Sequence, residues 1–166
     1  MPHTLAHLNA APPAEFTAAL GGVFEHSPWI AERAAAQRPF STVETLHSAM
    51  CAVVTESSAA DQLVLIRAHP DLVGRIVLTA ESKGEQAAAG LTGLSSEEVA
   101  LFDQYNRDYK ARFGFPFVIC ARLNKKDAIL AAFPIRLQNS TETERGTALG
   151  EIYKIARLRL ADLIKT

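Results

Sequence analysis

The stretch Arg67–Gln86, RAHPDLVGRIVLTAESKGEQ, decides the fold because it turns the chain at a proline before a helix resumes. Pro70 fixes its own φ angle and disfavours the α region for His69. We therefore expect the imidazole of His69 to lie at a rigid corner between two helices. Asp71 is expected to begin a new helix that runs to about Leu78, since an acidic residue in the first turn is favoured by the helix dipole.

A histidine at a helix junction with a carboxylate nearby is the arrangement that general acid–base chemistry needs. Glu85 is the carboxylate that we pair with His69, on a short helix predicted for Ser82–Ala89. Ser82 and Gln86 lie on the same helix and offer a hydroxyl and an amide to a small polar ligand. The alternative is structural: His69 caps a corner, and Ser82 with Glu85 forms a capping box. Spacing alone leaves both interpretations open.

Length and composition are those of one globular domain. The 166 residues carry a net charge of −1, with 48% hydrophobic and 21% charged residues, and we assign them to a single domain, 1–166. This small charge gives no field that would favour nucleic acid or an anionic membrane surface, and we expect neither as a partner. The two cysteines, Cys51 and Cys120, form no CxxC motif, which is typical of a reducing compartment.

Three further features predict a cytoplasmic protein. The N-terminal stretch MPHTLAHLNAAPPAEF lacks the basic and continuously apolar regions of a secretory signal. No window reaches the ~18 uninterrupted apolar residues that a bilayer-spanning helix needs. The C-terminus carries no peroxisomal tripeptide.

The pattern of the whole chain predicts an all-α fold of about eight or nine helices. Alanine, leucine and glutamate dominate, and strand signals are scarce. Ser95 and Glu98 have the spacing of a capping box, and the helix that they begin should end at Gly114. Ser140 should cap a last long helix that runs to about Leu163.

The run Phe113–Arg122, FGFPFVICAR, is strongly apolar but contains a glycine and a proline. Phe115–Cys120 is its extended candidate, and Pro116 argues against a central strand. The backbone N–H and C=O groups of Phe117–Ala121 could bind an amide-rich ligand edge to edge. A buried connector is the alternative interpretation.

Two arginines interrupt an apolar part of the last helix. Arg157 and Arg159 lie two residues apart and cannot share a face. One of them should point into a pocket as an anion clamp, and the other should be solvated or paired at the surface.

The sequence predicts no metal site. His3 with His7, and His47 with Cys51, have the spacing of helical metal ligands, but no third and fourth ligands are in sight, so packing is the preferred interpretation. A glycine-rich phosphate loop, GxSxG and HExxH are all absent from the sequence.

Four stretches together resemble the OHCU decarboxylase family: HPDLVGR from His69, ESKGEQ from Glu81 with AAAGL after it, LSSEEVALFDQYNRDYKARFGFPFVICAR from Leu94, and EIYKIARLRL from Glu151. They occur in the family's order and cover nearly the whole chain. Members of this family act on 2-oxo-4-hydroxy-4-carboxy-5-ureidoimidazoline (OHCU). The resemblance implies an all-helical, cofactor-independent enzyme, usually a homodimer, that catalyses the last step from urate to (S)-allantoin.

The resemblance also implies roles for individual residues. His69 matches the family's catalytic histidine and Glu85 its catalytic glutamate. The late arginine of the family aligns best with Arg159, and Arg157 is the alternative. The substrate-binding positions that the resemblance implies are Pro70, Ser82, Gln86, Phe117, Val118, Ile119, Cys120, Ala121 and Arg159.

Two other classes of function are the alternatives. One is a helical module that binds a ureide, and the other is a lyase or hydrolase for another ureide on the same scaffold.

Overall fold

The computed structural model describes residues 2–74 and 79–165, and most of them are helical. These residues form nine α-helices and two short 3₁₀ turns, which confirms the predicted all-α fold. The helices, in chain order, are α1 (Leu5–Ala10), α2 (Pro13–Leu20), α3 (Trp29–Ala34), α4 (Val43–Thr55), α5 (Ala59–Arg67), α6 (Ala80–Ala88), α7 (Ser96–Phe113), α8 (Lys126–Leu137) and α9 (Thr141–Leu163).

The chain divides into two compact units, of which the first comprises Met1–Ala68 and Tyr153–Thr166. It contains α1–α5 and the end of α9. Two short strands, β1 (His3–Thr4) and β2 (Ile164–Lys165), pair in parallel. The sequence did not indicate them, because a two-residue strand is too short to show an alternating pattern. The largest fully buried side chains of this unit include Leu8, Phe16, Leu20, Phe24, Ile30, Leu46 and Met50.

Within the described ranges, no helix is long and apolar enough to span a membrane by itself. The pair α4 and α5 together meets that test of length and composition, with a bend of 114° between them.

The second unit, His69–Ile152, contains α6, α7, α8 and the start of α9. Its core is aromatic. The Phe117 ring stacks on Phe133 with 3.8 Å between the centroids, and Tyr109 meets Phe117 edge-on at 5.3 Å. Because such contacts add to the burial of apolar area, the phenylalanines of the run after α7 fix that run in the core.

Three helix ends in this unit, both ends of α7 and the start of α9, follow the sequence signals. The Ser95 hydroxyl accepts from the Glu98 N–H at 3.2 Å, and the Glu98 carboxylate accepts from the Ser95 N–H at 3.1 Å, which confirms the capping box. Helix α7 ends at Gly114, whose φ of +78° is a left-handed conformation that glycine adopts without steric cost. Ser140 caps α9 by accepting from the Thr143 N–H at 3.1 Å.

The predicted helix from Asp71 is wrong in its described part. Asp71–Gly74 is a turn in which the Gly74 N–H donates to the Asp71 carbonyl at 3.3 Å. Val73 has a φ of +59°, a left-handed conformation that is incompatible with an α-helix. The remainder of that predicted helix, 75–78, lies outside the described residues.

The predicted start of α6 is also wrong. Thr79 is the N-cap, and its hydroxyl accepts from the Ser82 N–H at 3.1 Å. Ser82 therefore belongs to the first helical turn and is not the cap. Thr79, which satisfies the same capping preference three residues earlier, was overlooked in the sequence.

Candidate active site

His69 lies in a bend that follows α5 in the chain, and only 8% of the residue is exposed. Side chains from α7 hold the turn after it. Asn106 donates to the Leu72 carbonyl at 2.8 Å, and Lys110 forms an ion pair with Asp71 at 2.7 Å. The imidazole is therefore presented from a fixed, largely desolvated corner.

Three predicted site residues lie on α6: Ser82, Glu85 and Gln86. Gln86 ties this helix to the turn that follows His69 and Pro70. Its Oε1 accepts from the Val73 N–H at 3.1 Å, and its Nε2 donates to the Asp71 carbonyl at 3.5 Å. Ser82 and Gln86 are buried and Glu85 is half-buried. The structure thus joins the helix of Glu85 to the turn beside His69.

The segment Phe117–Ala121 forms the second part of the candidate site, and all five of its residues are buried. Phe117–Cys120 has no regular secondary structure, and Ala121 begins a 3₁₀ turn. Two charged side chains anchor its backbone. The Val118 carbonyl accepts from Nη1 of Arg136 at 2.6 Å, and the Cys120 N–H donates to Oε1 of Glu151 at 3.1 Å. The segment is therefore buried, and two of its peptide groups have fixed directions.

Phe117 and Ile119 differ from the other residues of the segment, and Ile119 lies between the two anchored groups, the Val118 carbonyl and the Cys120 N–H. Among residues 2–74 and 79–165, neither the N–H nor the C=O of Ile119 makes a hydrogen bond. Buried peptide groups nearly always have a partner. The backbone groups of Ile119 depart from this pattern within the described part of the chain.

The pKa of the Cys120 thiol depends on burial and on charges near this segment. Burial raises the pKa of Cys120, and the negative charges of Glu151 and Glu85 raise it further. The end of α6 is also bonded to the chain beyond the segment, because the Lys126 N–H donates to the Ala89 carbonyl at 3.1 Å. The helix that carries Glu85 is therefore bonded at its end to the chain just beyond Phe117–Ala121.

A buried ion pair between α8 and α9 supports the same segment. Nε of Arg136 pairs with Oε1 of Glu144, and the Tyr109 hydroxyl donates to that oxygen at 2.5 Å. Burial and the hydrogen bond to Glu144 raise the pKa of Tyr109 far above its usual value, so the hydroxyl stays protonated and remains a donor. Arg136 also lies 4.1 Å from the centre of the Phe117 ring.

Sequence reasoning did not identify Arg136, Glu144 or Glu151 as site residues. The signal for Arg136 was its charge at a position where an apolar residue is expected. It lies in the otherwise apolar stretch ILAAFPIRL, which ends α8. Glu144 has the appearance of an ordinary acid in the first turn of a helix.

Arg157 and Arg159 belong to the first unit and have different surroundings. Arg159 is buried and donates to Oε2 of Glu25 at 2.9 Å and to the Gly22 carbonyl at 3.0 Å. Arg157 is partly exposed and pairs with the exposed Glu44. The surface pairing that the sequence predicted for one of the two arginines is therefore that of Arg157.

The histidine pairs with metal-like spacing make other contacts. His7 pairs with Glu15 at 2.9 Å, while Nε2 of His47 lies 2.8 Å from the Tyr153 carbonyl oxygen and 3.4 Å from Sγ of Cys51. In the part of the chain that the structure describes, no group of three or more His, Cys, Asp or Glu side chains is arranged to hold a metal ion.

A helical scaffold that joins a buried imidazole, a carboxylate and an unpaired peptide edge has the features of an enzyme for a small polar substrate. Comparison with known proteins identifies the family. The family model described as OHCU decarboxylase matches residues 9–161. The chain belongs to the OHCU decarboxylase family.

Individual relatives agree with this assignment. The chain is 46% identical to 2-oxo-4-hydroxy-4-carboxy-5-ureidoimidazoline decarboxylase of Haloferax volcanii, over 96% of this chain and 95% of that one. An OHCU decarboxylase crystallised in the presence of (S)-allantoin is similar with a TM-score of 0.72 and 25% identity, over 92% of this chain and 98% of that one. An (S)-allantoin synthase is similar with a TM-score of 0.83 and 34% identity, over 99% of this chain and 55% of that one.

Proposed function

We propose that this chain decarboxylates OHCU to (S)-allantoin, the last step from urate to allantoin in purine degradation. The observation that carries this proposal is the match of the OHCU decarboxylase model to residues 9–161, with a relative of that name at 46% identity over 96% of the chain. The positions of His69 and Glu85 support it. They lie on elements that Gln86 joins through the turn at Val73.

We propose acid–base catalysis by His69 and Glu85. The carboxylate that leaves and the hydroxyl group sit on one carbon of the substrate, beside a ring C=N bond. When the bond to CO₂ breaks, its electron pair forms a C=C bond to the neighbouring ring carbon, and the π electrons of the C=N bond move onto its nitrogen. The substrate therefore supplies the electron sink that a cofactor would otherwise provide. His69 takes or shares the hydroxyl proton, and Glu85 orients this exchange. Protonation of the resulting enol-like intermediate on one face gives (S)-allantoin.

Stereochemistry requires that the substrate is held in one orientation. We propose that Pro70, Ser82 and Gln86 contact it from one side and that the backbone of Phe117–Ala121 binds its ureido and ring amides. The burial of Ser82 and Gln86 and the unpaired edge of Ile119 support these roles. Arg159 is proposed as a further contact on the strength of the family resemblance.

We further propose that residues 1–166 fold as one domain, that the enzyme is a homodimer and that it is cytoplasmic. A single family model over most of the chain supports one domain, and the free thiols of Cys51 and Cys120 fit a reducing compartment. Light scattering should give twice the chain mass, and thermal unfolding should show one transition. A monomer mass or two separate transitions would contradict these proposals.

The direct test generates the substrate in the cuvette from urate with the two upstream enzymes and follows circular dichroism. Since the free substrate decays to racemic allantoin, an (S)-allantoin signal requires a catalyst. We expect the signal to grow rapidly when this protein is added. A trace identical to the enzyme-free control would overturn the proposed function. Thermal stabilisation by the substrate without turnover would then indicate a ureide-binding module, and turnover of another ureide would indicate a different lyase.

A further inference from the structure

We propose that Glu151 is a positioning residue that fixes the peptide edge of Ile119 on which the substrate binds. The inference rests on the proposed function and assigns a role to a residue outside the predicted site. Its basis is the hydrogen bond from the Cys120 N–H to Oε1 of Glu151, 3.1 Å long.

The geometry of the trans peptide connects Glu151 to Ile119. In a trans peptide, the C=O of one residue and the N–H of the next point in opposite directions. Because Glu151 holds the Cys120 N–H, the Ile119 carbonyl points away from the Glu151 carboxylate. A rotation of this peptide unit would break the bond to Glu151 and redirect the carbonyl.

Arg136 acts in the same way on the preceding peptide. Its Nη1 donates to the Val118 carbonyl at 2.6 Å, so the Ile119 N–H points away from the guanidinium. Residues from α8 and α9 thus fix the two peptide groups that flank Ile119. The edge left between them presents one donor and one acceptor, which matches the N–H and C=O groups of a ureide.

The bond needs an acceptor oxygen at Glu151 and does not need its negative charge. The negative charges of Glu151 and Glu85 both raise the pKa of Cys120. The experiment must therefore distinguish an effect of the Glu151 charge from the effect of its hydrogen bond. Glutamine keeps the acceptor oxygen and removes the charge. Leucine has a similar volume and removes both.

The test measures kcat and KM for OHCU, at several pH values, in the wild type, Glu151→Leu and Glu151→Gln. If the Ile119 edge binds the substrate and the transition state equally well, its loss raises KM more than it lowers kcat. We expect Glu151→Leu to raise KM about tenfold, which corresponds to the loss of one hydrogen bond between the redirected Ile119 edge and the substrate. Glu151→Gln should retain the KM and pH profile of the wild type. Glu142→Leu, an exposed change on the same helix, should leave both constants unchanged.

Hydrogen exchange at the Cys120 amide gives a readout that does not depend on turnover. It should accelerate in Glu151→Leu and stay slow in Glu151→Gln. If Glu151→Leu does not fold, Glu151→Ala carries the same expectations.

The outcomes separate the two proposals. An unchanged KM in Glu151→Leu, or equal losses in Glu151→Leu and Glu151→Gln, would overturn the positioning role while the wild type remains active. A lower kcat at unchanged KM would indicate a smaller folded fraction and would also count against it. A wild type without turnover would overturn the proposed function and this role with it.

Discussion

The side chain of Gln86 accepts a hydrogen bond from the backbone N–H of Val73 at 3.1 Å. This bond connects α6, which carries Glu85, with the turn that follows His69. The two proposed catalytic residues lie on different elements, and this bond limits how these elements can move relative to each other.

Gln86→Leu should therefore lower the stability of the protein. The substitution leaves the half-buried Val73 N–H without its acceptor, and the loss of such a hydrogen bond costs about 0.5–1.5 kcal/mol. Urea unfolding of the wild type and the variant measures the difference. Lys83→Gln, at an exposed position of the same helix, is the control and should change stability by less than about 0.5 kcal/mol. Equal stabilities of Gln86→Leu and the wild type would contradict the role of this bond.

The buried pair Arg136–Glu144 should be far more sensitive to substitution than an exposed pair. Glu144→Gln leaves the Arg136 charge buried without a counter-ion, and such changes cost about 3–5 kcal/mol. Glu44→Gln breaks the exposed pair with Arg157 and should cost at most about 1 kcal/mol. Chemical denaturation measures both. Similar losses in the two variants would show that burial does not govern these pairs.

Alkaline pH should reduce the contribution of Cys51 to stability. Burial raises the pKa of Cys51 to about 11, so the unfolded chain, with a thiol pKa of about 8.5, loses this proton first. The contribution is complete below the unfolded pKa and is lost as the pH rises toward the folded one. Unfolding free energies of the wild type and Cys51→Ala, measured between these two pKa values, should converge as the pH rises. A constant difference would contradict the burial of this thiol.

Two glycines should respond to alanine in opposite directions. Gly114 has a φ of +78°, so Gly114→Ala should destabilise the protein by about 1 kcal/mol. Gly146 lies inside α9 with open space where a Cβ would stand, so Gly146→Ala should stabilise it by roughly 0.5–1 kcal/mol. Thermal unfolding of the pair under identical conditions compares them. A shift of the same sign in both would contradict the assigned conformations.

Local signals in the sequence were sufficient for most helix ends. The Ser95–Glu98 box and Gly114 each act through the backbone within a few residues, so their sequence spacing predicts the structure directly. The turn at Asp71–Gly74 was missed because neither Asp71 nor Val73 is a residue that marks a left-handed conformation as strongly as glycine does. Long-range bonds from Gln86, Asn106 and Lys110 hold that turn, and sequence spacing does not reveal them.

The sequence predicted the side chains of the candidate site and its backbone segment Phe117–Ala121, but not the residues that anchor this segment. Family resemblance indicated His69 and Glu85, but it gave no information about which backbone groups are fixed and by what. The anchors Arg136 and Glu151 come from α8 and α9, and each bonds a peptide group in a segment far away in sequence. The sequence does not show that these two charged side chains contact the backbone of Phe117–Ala121.

The role of His69 is tested most directly by the initial rate of (S)-allantoin formation in His69→Asn, followed by circular dichroism with substrate generated in the cuvette. His7→Asn, a surface histidine in the first unit, is the matched control. We predict that His69→Asn retains the helical spectrum of the wild type and loses most of its rate, at least about a hundredfold as expected for a general acid–base group, while His7→Asn keeps full activity. A folded His69→Asn variant that turns over like the wild type would contradict acid–base catalysis by His69.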